Sequence, residues 1–194
     1  MHGPVARERK SHIWAREENE HYVEPAWCSR RLFQEEKFIG CIDDPCCGFG
    51  TILKSAEAEG FLVNGSDIVD RGWPNTAIQD FFTETIHSDN IVCNPPFNIA
   101  DKFALHALKL AKKKVALIFP TARLNAAHWL KGTPLARVWL LSPRPSMPPG
   151  HVIARGEKPG DGKTDFCWLV FEHRHPEHTS QHTTELRWLY RDKP

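Results

Sequence analysis

The apolar residues of this chain fall in short unbroken runs, and helix-length amphipathic stretches separate them. Residues 38–44 (FIGCIDD) read as a buried strand ending in acids, and residues 61–67 (FLVNGSD) as a second. Residues 75–82 (NTAIQDFF) suggest a short third strand, and residues 90–97 (NIVCNPPF) a fourth that two prolines stop. Residues 115–120, 136–142, 165–173 and 185–190 are further strand-like runs. Ala26, Cys28, Leu32 and Phe33 share one face of a helix over 26–36, and a second helix over 50–60 closes on Gly60. The clearest amphipathic helix spans 101–114, with Phe103, Leu105, Ala107, Leu108 and Leu110 mostly inward and its lysines at the C-terminal end, where the dipole favours them. Another helix is expected near 121–131. Continuous apolar strands alternating with helices predict an α/β fold, an open, doubly wound, mostly parallel sheet covered on both faces.

With 194 residues, 41% of them apolar, the chain suits one core. The reading is a charged N-terminal arm over 1–20 and one domain over 21–194, with a Gly- and Pro-rich loop at 143–164. No apolar run reaches the roughly 18–20 residues that cross a bilayer, and the N-terminus is too polar for a signal peptide, so a cytoplasmic location is expected. Cys28, Cys41, Cys46, Cys47, Cys93 and Cys167 form no CxxC pair, and a reduced, mostly buried state is expected. His173, His175, His178 and His182 match no defined metal spacing and read as a polar tail. Net charge is only +1, yet residues 1–94 carry 9 Lys and Arg against 16 Asp and Glu, while residues 95–194 carry 16 against 8. Such a split suits either one face turned to a polyanion or two ordinary solvated faces.

In an open α/β sheet, ligands bind beyond the carboxyl ends of the strands. The first strand runs into Asp44-Pro45-Cys46-Cys47-Gly48-Phe49-Gly50 and then a helix. The third glycine of a dinucleotide fingerprint is replaced by Leu53. An acid just before the turn would repel a pyrophosphate and suits a cationic ligand end instead. Asp67, ending the second strand, is placed to accept two ribose hydroxyls, while Asp80 and Phe81 are placed to meet an adenine. Each has a plainer reading: Asp44 as a helix-start acid, Asp67 as a cap and Phe81 as core.

Asn94-Pro95-Pro96-Phe97 ends the fourth strand. The two prolines fix the chain, so the Pro95 carbonyl and the Asn94 amide oxygen can converge on both hydrogens of an exocyclic amino group. Accepting both N–H bonds favours a tetrahedral nitrogen whose lone pair points at a methyl donor, and holding the two in line supplies much of the acceleration. Phe97 would stack on a base turned out of its helix. The plainer reading is a Pro-Pro turn with an incidental aromatic.

On these motifs the chain resembles the nucleic-acid amino-methyltransferases, especially DNA adenine-N6 methyltransferases of the NPP[YF] type and their phage and prophage members. The likeness covers residues 21–172 and extends to the stretch from Leu141 to Ser146 and to Asp165-Phe166-Cys167-Trp168. It implies a Rossmann-like methyltransferase fold with an antiparallel C-terminal strand, and S-adenosylmethionine (SAM) as cofactor. It also implies the methionine end of SAM at Asp44, Pro45, Cys46, Gly48 and Gly50, with ribose and adenine at Asp67, Ile68, Asp80 and Phe81. His21-Tyr22-Val23-Glu24-Pro25 resembles the segment that closes over the methionine, giving Tyr22 and Pro25 as cofactor residues; Glu24 stands where the family more often has Thr. The substrate implied is DNA. No separate target-recognition domain is evident, and loop 143–164 with Arg144, His151, Arg155, Lys158 and Lys163 is the candidate for that role or a solvated loop. RNA bases, a protein glutamine amide, a non-catalytic SAM-binding protein and an NAD-dependent oxidoreductase are the competing readings.

Overall fold

A computed structural model describes residues 21–158, 160–173 and 183–191 of the protein. The expected arm over 1–20 and the histidines 175, 178 and 182 lie outside these residues. The strands are β1 (Ile42–Asp44), β2 (Val63–Asp67), β3 (Ala77–Ile78), β4 (Ser88–Cys93), β5 (Ala111–Pro120), β6 (Leu135–Ser142), β7 (Phe166–Glu172) and β8 (Glu185–Tyr190). They form one sheet in the order β3-β2-β1-β4-β5-β7-β6-β8. Strands β1 to β5 run parallel, and β7 is inserted antiparallel between β5 and β6. The antiparallel strand is therefore β7, and the last strand, β8, pairs parallel with β6.

Helices α1 (Ala26–Glu35) and α2 (Thr51–Ala58) cover one face, and α3 (Ala100–Leu110) covers the other. The unbroken apolar runs follow from this double cover. On β5, Ala116 and Ile118 join the cluster with Leu32, Phe33 and Ile52, while Val115, Leu117 and Phe119 join the one with Phe103, Ala107 and Leu110. On β7, Trp168 and Val170 take the first side and Cys167, Leu169 and Phe171 the second. Each large side chain so buried contributes about 1.5–3 kcal/mol.

Several local expectations change, and Leu105, expected inward on α3, is exposed. Helix α3 stops at Leu110 and β5 begins at Ala111, so Lys112, Lys113 and Lys114 are strand residues, and Lys109 alone lies in the last turn of the helix. Lys114 is drawn inward because Glu36 and Glu172 pair with it at 3.0 and 3.7 Å. The helix expected near 121–131 is two 3-10 segments, Thr121–Ala126 and His128–Leu130. The third strand shrinks to Ala77–Ile78, because Asp80 accepts the Phe82 N–H at 3.0 Å and caps a 3-10 turn. Loop 143–164 contains a short helix, α4 (Gly150–Ala154). All six cysteines are free; Cys28, Cys47, Cys93 and Cys167 are buried, and Cys41 and Cys46 are partly so. No helix among the described residues is long and apolar enough to cross a membrane.

Candidate active site

Strand β1 pairs with β2 on one side and β4 on the other. Crossovers leave in opposite directions there, which opens a crevice past the strand ends. Asp44 ends β1, Asp67 ends β2 and Asn94 follows β4, so three residues scattered over fifty positions meet at one rim. The turn after β1 needs its glycines: Gly48 and Gly50 have φ of 53° and 73°, and a Cβ on Gly50 would overlap the Trp73 ring. Leu53 is accommodated because β2 carries Gly65 opposite it, where a Cβ would lie 2.7 Å from Leu53 Cδ1. Close helix–strand approach is thus obtained from a strand glycine instead of a helix glycine.

A pocket of about 280 Å³ occupies the crevice. Tyr22, Asp44, Pro45, Cys46, Gly48, Asp67, Ile68, Asp80, Phe81, Asn94 and Pro96 all line it. Pro25, Gly50, Pro95 and Phe97 do not. Pro25 is the N-cap of α1 and lines a neighbouring cleft, and Gly50 caps α2. Phe97 lies parallel to Tyr22 with centroids 6.4 Å apart and packs 5.5 Å from Phe166, while its carbonyl accepts from Arg123 at 2.6 Å. Phe81 is core as much as wall, since its ring lies 4.4 Å from that of Phe103; the exposed Phe82 beside it also faces the pocket. His21 and Glu24, from the expected closing segment but not singled out in it, also line the pocket, as do Arg71 and Phe82, which were not expected there. Of these, Glu24 carried a visible signal, a charge between the apolar Val23 and Pro25.

The segment before α1 forms part of the pocket wall. Val23 N–H donates to the Pro148 carbonyl and Gly150 N–H to that of His21, each at 2.9 Å, so residues 21–23 are zipped to the start of the long loop. Asn94 is then held from this segment. Its Nδ2 donates to the Tyr22 carbonyl at 2.8 Å and to Glu24 Oε2 at 2.9 Å. Both amide hydrogens are consumed, so Oδ1 is left as the acceptor. Asp67 is stitched in differently: its two oxygens accept from Gly48 N–H at 2.9 Å and Val69 N–H at 3.0 Å, with Arg71 3.9 Å away.

The wall is acidic and short of cations. Asp44 and Glu24 are 2% and 6% exposed, and among the described residues neither has a Lys or Arg partner. Burial pushes Glu24 up to about 7, against the pull of the Asn94 hydrogen bond. Burial also lifts Asp44 well above the usual carboxyl range; the Cys46 N–H opposes this, and the charges of Glu24 and Asp67 add to it. Asp44, Cys46 and Cys93 bring polar atoms within 4.8 Å of one another, and burial pushes both thiols up; of the two cysteines, Cys46 lines the pocket. A pocket with two buried carboxyls and no protein cation on either fits a ligand that carries positive charge, such as the sulfonium and ammonium end of SAM.

No family model matches the chain, and no curated protein sequence does. Solved structures share its fold. A candidate RNA methyltransferase from Pyrococcus horikoshii matches with a TM-score of 0.55 at 17% identity, over 76% of this chain and 81% of that one. A predicted O-methyltransferase from Agrobacterium tumefaciens matches at 0.54 and 14% identity, over 86% and 84%. A Thermoplasma acidophilum protein matches at 0.52 and 16%, over 77% and 85%. The architecture is the Rossmann-like methyltransferase fold.

Proposed function

We propose that the protein is a SAM-dependent methyltransferase that methylates the exocyclic amino group of adenine in DNA. The observation that carries this reading is the orientation of Asn94, whose amide hydrogens are both spent on Tyr22 and Glu24 and whose oxygen is left to accept. The cofactor assignment rests on the buried, uncompensated acids at the switch point and on the fold.

When bound, SAM supplies an electrophilic methyl group on a sulfonium. Asp44 and Glu24 balance that positive charge from buried positions, and Asp67 offers its carboxylate at the end of β2 for the ribose. Ile68, Phe81 and Phe82 furnish apolar contact for the adenine ring. On the acceptor side, Asn94 Oδ1 binds one hydrogen of the target amino group; Pro95, which the motif offers as the second acceptor, lies behind the pocket wall. SAM, held by Asp44, Glu24 and Asp67, would supply its methyl group to the amino nitrogen and keep the electron pair of the broken carbon–sulfur bond on sulfur. One N–H proton then leaves to water. No residue acts as a covalent nucleophile, so positioning and charge placement provide the catalysis.

The test is transfer of labelled methyl from SAM to unmethylated duplex DNA, single-stranded DNA and RNA, followed by digestion to nucleosides and mass spectrometry. Methylated adenosine from DNA is expected, and Asn94→Ala should abolish it while SAM binding persists. Label confined to RNA would replace the substrate and keep the chemistry. Full turnover by Asn94→Ala would overturn the mechanism.

A further inference from the structure

The pocket contains a carboxylate that the reading above uses only for its charge, and its geometry assigns it a second task. We infer that Glu24 is a positioning residue for the methyl transfer: its carboxylate holds and polarises the Asn94 amide so that Oδ1, and not Nδ2, meets the amino group to be methylated. This rests on the methyltransferase reading and concerns how its acceptor site is built.

Asn94 Nδ2 has two hydrogens and two partners, the Tyr22 carbonyl and Glu24 Oε2. A flipped amide would set Oδ1 against both of these acceptors and leave no donor for either. Tyr22 can supply its half of the restraint through any side chain, because it acts through its main chain. Glu24 supplies the other half, and a hydrogen bond to an ionised acceptor is roughly twice as strong as a neutral one. Withdrawal of Nδ2–H toward a carboxylate also shifts electron density along the amide to Oδ1. Oδ1 is the atom that must strengthen its bond as the attacked nitrogen becomes positive, so the benefit is largest in the transition state.

The surroundings indicate that this charge was not placed for stability. Asp44 faces Glu24 from the end of β1, Cys28 from α1 and Cys93 from the end of β4, and none of them is cationic. Arg191, past β8, lies on the rim of the adjoining cleft that Glu24 also lines, and Arg71, on the wall of the same pocket, lies 3.9 Å from Asp67. A neutral acceptor of the same shape would satisfy Nδ2 without burying a charge. Glu24→Gln keeps the acceptor oxygen and removes the charge, and it therefore separates positioning through charge from simple packing.

The experiment compares wild type, Glu24→Gln and Glu24→Thr in the DNA methylation assay at saturating SAM, with kcat/KM for SAM followed from pH 5.5 to 9 and thermal unfolding at pH 8. Both variants should lose about tenfold or more in kcat with little change in KM for DNA. The acid limb of the wild-type kcat/KM profile, which reports groups in the enzyme before SAM binds, should lose one proton in both variants. Glu24→Gln should unfold no lower than wild type at pH 8. Wild-type kcat and an unchanged acid limb in Glu24→Gln, or in Glu24→Thr where the first variant fails to fold, would overturn the inference alone. Failure of the wild-type protein to methylate any base would overturn the functional reading, and this inference with it.

Discussion

Two buried glutamates flank helix α1, and they have opposite fates. Glu36 caps the C-terminal end and is 5% exposed; Glu24 sits two residues before the N-terminal end and is 6% exposed. The helix dipole alone would favour an anion at Glu24 and oppose one at Glu36, by about 0.3–1 kcal/mol each. The structure reverses that order. Burial pushes Glu36 up, yet hydrogen bonds from Arg137 and Trp139 and the charges of Lys114 and Arg137 outweigh it and leave the carboxyl below its ordinary range. Glu172 closes the network by accepting from Arg137 at 2.6 Å. Glu24 has a neutral amide in place of all this and sits near pH 7. Desolvation and partners decide, and the dipole is a small correction. A buried acid given two cations belongs to the scaffold; a buried acid left without one, on a pocket wall, is a candidate for ligand contact.

The comparison breaks most sharply at Glu36. Glu36→Ala leaves Arg137 and Lys114 buried with only Glu172 between them, and should cost about 3–5 kcal/mol in urea unfolding. Its stabilising contribution should be present above the ordinary carboxyl value near 4.5 and be lost as pH falls through its lower folded value. Glu24 should behave with the opposite sign. Its raised carboxyl favours the fold fully below about 4.5 and loses that advantage as pH rises through about 7. Glu24→Gln should therefore match wild-type stability at pH 4.5 and exceed it at pH 8, by up to about 3 kcal/mol, in paired thermal melts. Equal destabilisation at both pH values would remove the distinction between the two glutamates.

Smaller effects sharpen it. Asp44→Asn should weaken SAM binding about tenfold, or roughly 1.4 kcal/mol, without lowering stability at pH 8. Because Asp44 and Glu24 are held up by burial, binding of a cation should release protons. Titration calorimetry in two buffers of different ionisation enthalpy measures that release, which Asp44→Asn should reduce. The smallest effect belongs to the long loop. Arg144 pairs with Asp165 at 2.6 Å on an exposed surface, so Arg144→Ala should leave the unfolding midpoint unchanged. If the loop contacts DNA, the same change lowers affinity uniformly across sequences and reduces the salt slope by about one.

Much of the fold was legible because it rests on local signals. Continuous apolar runs indicated a sheet covered on both faces, and Gly48 and Gly50 marked the turn that their positive φ angles require. Most of the residues expected at the site line one pocket, since acids at strand ends reach one rim in any doubly wound sheet. Helix boundaries were read less well. The run Lys112–Lys114 matches a helix C-terminus by composition, and only the positions of Glu36 and Glu172 reveal why it is strand.

Glu24 shows where sequence reading stops. Its charge was visible beside Pro25, but its partner lies seventy residues away, and nothing in the spacing of either pairs them. Sequence alone determined the alternation of strands and helices, the turn chemistry and the types of side chain available to a site. Only the tertiary structure decided which acids are neutralised by cations and which are not, and which way Asn94 points. The physical reason is that propensity and periodicity act over a few residues, whereas desolvation and hydrogen-bond partnership depend on what the fold packs against each group.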